Sequence, residues 1–264
     1  MTRSGTSWTL RINRWVWAAI LIWAFWGPIT QVPFAIRSLP FALDYISKMV
    51  PPDLTVLPSL WEPLLETLQM AVVGTVTATV IAFPVSFLAA RNTAPCLAVL
   101  VIARGGLAFL RSMPEMVWAL LFVSLSGLGI LAGMLGIVCH TVGAMGKMFF
   151  ECIESIGPKM QSEIEAMRID GATEPQIIRY GIVPEMLPLA ASYTLYRFES
   201  TIRTSAIMGL VGAGGLGLEL TMAVRMFRRQ QASAIILVIL LLVACVDWAS
   251  GYIRTNILEE SGYV

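Results

Sequence analysis

The sequence predicts an all-α membrane protein of about six transmembrane helices, with one long polar segment at a bilayer surface. Three observations carry this. Of 264 residues, 57% are hydrophobic and only 13% are charged, whereas a soluble domain has about a quarter charged. Apolar runs recur at roughly the 20-residue length that a hydrocarbon core requires of a helix. Between two of them, residues 165–184 form a polar island. The net charge of +1 gives no global field that would draw nucleic acid. Cys96, Cys139, Cys152 and Cys245 are scattered without C-x-x-C spacing and read as apolar packing residues. With His140 as the single histidine, no metal-ligand set or catalytic set is expected.

The first helix is expected over residues 15–36. Its apolar run is longer than a signal core and no small-x-small site follows clearly, so it reads as retained. Residues 37–64 read as an external loop, because Pro51-Pro52-Asp53 starts a rigid turn there. Further helices are expected over residues 65–90, 107–125 (with an interfacial lead-in from Leu97), 128–150, 186–210 and 232–253. The organisation is then residues 1–64, a helix and external loop, followed by a core over 65–264. Alternation places Arg3, Arg11, Arg14, Arg91, Lys147, Lys159, Arg168, Arg179 and Arg254 on one side, the cytoplasm, with both termini. Arg225, Arg228 and Arg229 fall on the other side, and residues 225–231 read as local structure facing an external partner.

The polar island reads as a helix–turn–helix at the membrane surface. Thr173-Glu174-Pro175-Gln176 fits a capping box with proline in the first turn. Gly171 supplies the permissive backbone before it, and Pro184 marks the start of the next membrane helix. Glu163, Glu165, Asp170 and Glu174 set acidic points against Arg168 and Arg179. The plain alternative is a solvated loop between two helices.

This island resembles the EAA loop of ABC-importer permeases: Glu-Ala-Ala, three residues, Gly, nine residues, Ile, one residue, Leu-Pro. Glu165, Ala166, Gly171 and Pro184 match in register, while Met167, Gly181 and Val183 depart with small or apolar residues. The resemblance implies a type I ABC importer permease fold, methionine-permease-like, with a cytoplasmic coupling loop at about 154–185. It implies that Glu165, Ala166, Asp170, Gly171, Ala172, Thr173 and Pro184 couple the chain to a separate ATPase subunit. The chain itself lacks the ATP-binding motif G-x-x-x-x-G-K-[ST]. Its nearest approach, residues 141–147, lacks the first glycine and is followed by Met148.

The fifth apolar helix carries Arg197, Glu199 and Arg203. Ionisable residues in a bilayer cost about 2.5–3.5 kcal/mol each on insertion scales, so these face a path or partners. Glu199 and Arg203 are spaced for an i,i+4 pair. Tyr193, Arg197, Ser200 and Thr204 fall on another stripe, where Arg197 has no partner within its own helix. Arg197 is thus either an anion-contacting residue in a substrate path or a structural arginine paired with another helix, for example with Glu115. Glu115 lies in the polar break Arg111-Ser112-Met113-Pro114-Glu115 and pairs with Arg111 or lines a cytoplasmic mouth. His140 is open between packing and substrate contact. Gly212, Gly214, Gly215 and Gly217 satisfy G-x-G-x-x-G, but without a βαβ context they read as a tight external reversal. Gly129 and Gly133 form a small-xxx-small step.

Residues 192–200, 202–205 and 209–217 look like the phosphonate ABC-transporter permease, as do Pro51-Pro52-Asp53, residues 115–123 and His140-Thr141. That resemblance spans the chain from Pro51 to the sixth helix. It implies import of a phosphonate, or of phosphite or phosphate, by alternating access. The implied partners are a second copy of the chain, two cytoplasmic ATPase subunits holding ATP and Mg²⁺, and a periplasmic phosphonate-binding protein. The place is the bacterial inner membrane, and no nucleic acid or cofactor in this chain is implied. The charge agrees on its own: the fifth helix sets Arg197 and Arg203 against Glu199 alone. The rivals are a permease for another small solute, such as methionine, and an ion-coupled secondary transporter using Glu199 or Asp247. The latter usually shows inverted repeats, and none is evident.

Overall fold

Helix follows helix from Gly5 to Glu260 with no strand among the described residues. The computed structural model describes the backbone of residues 5–260 and the side chains of residues 16–156 and 160–255. Arg3 and residues 261–264 lie outside the described residues, as do the side chains of Arg11, Arg14 and Lys159. Two compact units divide the chain, Met1–Pro51 and Pro52–Val264.

The first unit is a single helix, α1 (Gly5–Ser47), and none of its described side chains is buried within the protein. Trp23, Trp26, Phe34 and Phe41 are each at least 70% exposed, an apolar surface suited to lipid. The helix runs past the residue-36 end expected for it. Leu39, Phe41, Leu43 and Ile46 continue the apolar run, and Lys48 bonds Asp44 at 2.5 Å one turn back. Pro28, Pro33 and Pro40 lie inside it, as membrane helices tolerate.

The second unit opens with a 3₁₀ turn, Leu54–Leu60, so little of the expected 37–64 loop is unstructured. Asp53 starts that turn by accepting from the Thr55 hydroxyl (2.5 Å) and N–H (3.1 Å). Those bonds hold its carboxyl below the ordinary carboxylate value. Then come α2 (Trp61–Ala89), α3 (Leu97–Ser112), α4 (Glu115–Ser126), α5 (Ile130–Lys159), α6 (Gln161–Ile169) and α7 (Glu174–Ile177). A π-turn over Ile178–Ile182 leads into α8 (Val183–Met208), and α9 (Gly215–Arg225) and α10 (Arg229–Glu260) complete the chain. Four helical stretches are long and apolar enough to cross a membrane, or up to six if each bent pair is one span, among the described residues.

The bent pairs correct two expectations. The third helix is not continuous: α3 and α4 meet at 85°. Met113 before Pro114 takes an extended conformation (φ −95°, ψ 134°), since proline disfavours helix in the preceding residue. At 1.5 Å per residue, α3 is about 24 Å long and α4 about 18 Å, so neither crosses alone. The fifth span is broken too, with α9 continuing at 45° beyond the glycine loop. Sequence reading left α9 as a connection because its glycines mask its helical period.

Small residues set the packing. One face of α2 buries Ala71, Gly74, Ala78, Ala82 and Ala89 at three-, four- and seven-residue steps, which lets α5 approach closely. On α5, Gly136 faces the backbone of Ala119, Gly143 that of Arg111, and Gly146 the side chain of Leu107. The α3–α4 break therefore lies on a glycine track, where the Gly143 Cβ position is 2.6 Å from the Arg111 nitrogen. In the Gly129/Gly133 step, only Gly133 makes a close approach, to Ala213 and Met70. Phe149, Met145, Ile153 and Met186 fill the core where α5 meets α8.

The tightest crossing is Gly209 over Gly217. A Cβ on Gly217 would lie 2.0 Å from the Ala206 carbonyl oxygen, which as helix backbone cannot move aside. Gly217→Ala should therefore lower stability by about 1–3 kcal/mol or more. Gly105→Ala, where nothing lies within 4 Å, should leave stability unchanged or raise it by up to about 1 kcal/mol. Thermal unfolding in detergent checks both, and a Gly217→Ala protein as stable as wild type would contradict the crossing.

Candidate functional site

The residues that the sequence singles out fall at three levels. At the polar end, α6 and α7 form the expected helix–turn–helix. Gly171 turns the chain with φ +86°, and nothing lies within 4 Å of its Cβ position. Glycine is needed there for its backbone, not for space. Gln176 Oε1 accepts from the Thr173 N–H (2.7 Å) and hydroxyl (2.9 Å), which fixes the start of α7. Arg168 pairs with Glu174 across the turn at 2.9 Å, and Gln161 donates to Glu165 at 3.2 Å. Pro184 sits in the first turn of α8. Ala166 and Asp170 are exposed and Ala172 half-buried. Ile169 at 85% exposed stands beside the turn, an apolar tip on a polar element that sequence reading passed over.

Behind this element is a cavity of about 500 Å³, lined by Glu165, Arg168 and Glu174 on one side and by Arg91, Asn92 and Glu154 on the other. The second group is a latch that sequence reading missed. Glu154 on α5 accepts from the Arg91 backbone N–H at 2.8 Å and pairs with Arg104 on α3. Arg104 also donates to the Ala89 carbonyl at 2.7 Å and lies over the Phe150 ring. Asn92 donates to the Ile153 carbonyl at 2.9 Å. Together these tie the α2–α3 turn to the end of α5. No periodicity joins residues 50 apart, so the pairing left no sequence signal.

The second level is the charged interior. Glu115, His140 and Arg197, singled out separately, meet there. Arg197 Nη2 pairs with Glu115 Oε1, and its Nε and Nη2 donate to Thr141 Oγ1 at 3.2 and 3.0 Å. His140 Nδ1 lies 2.9 Å from the Met113 carbonyl, and Nε2 lies 3.7 Å from Glu115 Oε1. The alternative of an Arg111–Glu115 pair is not realised: Glu115 turns to α8, and Arg111 forms no ion pair among the described residues. Arg203 pairs with Glu199 at 2.9 Å, as its spacing predicts, and also reaches Asp247 on α10 at 2.9 Å. Ser200 joins neither cluster by a side-chain bond. Its carbonyl accepts from Thr204 at 3.1 Å.

This overturns the charge argument made from the fifth helix alone. Once neighbouring helices are in place, Arg197 and Arg203 meet the carboxylates of Glu115, Glu199 and Asp247. Neither Arg197 nor Arg203 is left without a carboxylate, and an anion binding either would have to displace one.

The third level is the glycine loop. Gly212, Gly214 and Gly215 have φ of +85°, +86° and +68°, conformations that favour glycine. Glu66 Oε2 on α2 accepts from the Gly215 N–H at 2.8 Å, and Thr67 Oγ1 from the Leu216 N–H at 2.9 Å. These are N-terminal caps for α9 supplied by another helix. Sequence reading placed the loop but not its acceptors.

A family described as binding-protein-dependent transport system inner membrane component matches residues 82–258. The phosphite transport system permease protein PtxC of Stutzerimonas stutzeri is 38% identical over 241 residues, covering 91% of this chain and 86% of that protein. The phosphate-import permease protein PhnE of Mycolicibacterium smegmatis is 36% identical over 218 residues, covering 82% of this chain and 40% of that protein. Among solved structures, an inward-facing conformation of the MetNI methionine ABC transporter matches with a TM-score of 0.67 and 21% identity. That match covers 78% of this chain and 99% of the other.

The latch makes a direct prediction. Glu154→Ala removes the acceptor of Arg104 and of the Arg91 N–H together, and should lower stability by about 1–3 kcal/mol. It should also speed proteolysis at the α2–α3 turn. Unaltered thermal unfolding together with unaltered cleavage would show that the latch carries no load.

Proposed function

The chain belongs to the family of binding-protein-dependent transport system inner membrane components, and from that premise we propose that it carries a phosphorus oxyanion into the cytoplasm. Candidate substrates are a phosphonate, phosphite or phosphate. The observation that carries this is the extent of the likeness to the phosphite permease, which takes in nearly the whole chain. The methionine transporter is alike in fold alone.

The chain is a transport component, and the work of ATP falls to other subunits. Two cytoplasmic ATPase subunits hold ATP and Mg²⁺, a second copy of this chain completes the path, and a periplasmic binding protein delivers the ligand. Both termini face the cytoplasm, and the glycine loop lies toward the outside. Alternating access opens the path outward on ATP binding and inward after hydrolysis.

Glu165, Ala166, Asp170, Gly171, Ala172, Thr173 and Pro184 form the coupling element. Exposed Ile169 and the capped start of α7 suit a docking lever, since the lever must keep its shape under load. Arg197, Glu115, His140, Glu199, Ser200 and Arg203 line the path. Guanidinium offers a planar fork of donors from which phosphorus oxyanions accept.

ATP-driven uptake into proteoliposomes tests the whole reading, with the chain, its ATPase and its binding protein present. Phosphite, phosphate, 2-aminoethylphosphonate and methionine serve as competing solutes. Uptake of a phosphorus oxyanion that needs every component is expected. Uptake of methionine alone would leave the fold and remove the substrate assignment. Gly171→Val, which forces a β-branched residue to φ +86°, should cost about 1–2 kcal/mol locally. It should sever ATP hydrolysis from uptake by at least about tenfold. Normal coupling in that variant would discard the lever.

A further inference from the structure

We propose that Glu115 is a built-in stand-in for the transported oxyanion: its carboxylate occupies the anion site of Arg197 in this state and must leave for the substrate to bind. The proposal rests on the oxyanion-import reading above and adds the site and its competitor. Four observations support it.

The first is the convergence on one oxygen. Glu115 Oε1 receives Arg197 Nη2 and faces His140 Nε2 at 3.7 Å. Thr141 Oγ1 accepts twice from Arg197, so its own proton is uncommitted among the described residues. Guanidinium and imidazole thus meet at the end of one carboxylate, and the Thr141 hydroxyl sits on the same guanidinium.

The second is that the fit is incomplete. The Glu115 side chain is only 9% exposed, yet its Oε2 is buried without a hydrogen-bond partner. Arginine–carboxylate pairs frequently use both oxygens against the guanidinium fork. Here Arg197 offers Nη2 alone to the carboxylate and turns Nε to Thr141. A buried carboxylate oxygen left unpaired calls for an explanation, and a second occupant of the site supplies one.

The third is the His140 ring. The Met113 carbonyl can only accept, so His140 Nδ1 donates to it and Nε2 is the ring nitrogen turned to Glu115. Nε2 and a carboxylate oxygen at 3.7 Å make no hydrogen bond. A phosphorus oxyanion would reach both sides, with one oxygen on Arg197 and Thr141 and another within hydrogen-bond distance of Nε2.

The fourth is where the two residues sit. Glu115 is the first residue of α4, directly after Pro114 and the 85° break, whereas Arg197 lies inside the long α8. A small swing of α4 along Gly136 would withdraw the carboxylate and leave the arginine in place. Its return would expel the ligand, which gives a weak site suited to release.

The test uses the assembled transporter of this chain and its ATPase, held with ATP and vanadate and without the binding protein. Binding of radiolabelled phosphite and phosphate is measured by equilibrium dialysis. Glu115→Gln should bind phosphite at least about tenfold more tightly than wild type. Adding Arg197→Gln to that variant should abolish the gain. Glu115→Asp, which draws the charge back by one methylene, should move the same way by less, and it carries the comparison if the amide variant does not assemble. Phosphite binding in these variants no tighter than in wild type would overturn the stand-in, and so would a gain that survives loss of Arg197. Complete wild-type proteoliposomes that take up no phosphorus oxyanion would instead overturn the import reading, and the proposal with it.

Discussion

A charge inside a bilayer must find its counter-charge within the protein, and the Arg197–Glu115 pair is where this chain meets that constraint most tightly. Much of the interior follows from it. Glu115 can reach α8 only because Pro114 ends the preceding helix and α4 starts anew at 85°. The break can lie against α5 only because Gly136 and Gly143 present bare backbone to it. The carbonyl exposed at the break, on Met113, is met by His140 of the same helix. Loss of the pair would leave a buried guanidinium with Thr141 alone.

α5 joins the two ends of the account. It carries Glu154 of the latch at one end and His140 and Thr141 of the charged cluster further along. The separation from Glu154 to His140 is about 21 Å of unbroken helix. The latch and the charged cluster are thus joined by a rigid rod rather than by a chain of soft contacts. α2 backs this rod along its small-residue face and caps α9 with Glu66 and Thr67, so the glycine loop is held by the same pair of helices.

What the sequence revealed followed local rules. Helical period and length gave the apolar segments, and the capping chemistry of Thr173 and Gln176 with Gly171 gave the α6–α7 turn. The Glu199–Arg203 pair was legible because four residues make one helical turn. What it hid was long-range. Arg104 and Glu154, or Glu66 and Gly215, are joined by packing that no spacing encodes. Arg203 looked balanced by Glu199 alone until α10 brought Asp247. The broken spans were masked because hydropathy averages over a window and does not see a bend, although Pro114 marked one of them. α1 ran longer than expected because a lone Arg37 and a proline do not end a helix whose surroundings are apolar.

The most direct measurement is a double-mutant cycle of Glu115→Ala and Arg197→Ala, read by thermal unfolding of the solubilised protein. If the pair is the constraint on which the interior rests, each single change leaves one charge without its counter-charge and lowers stability by about 3–5 kcal/mol. The double variant then loses no more than either single one. Losses that simply add would mean the two side chains do not depend on each other, and the account of the interior would fail.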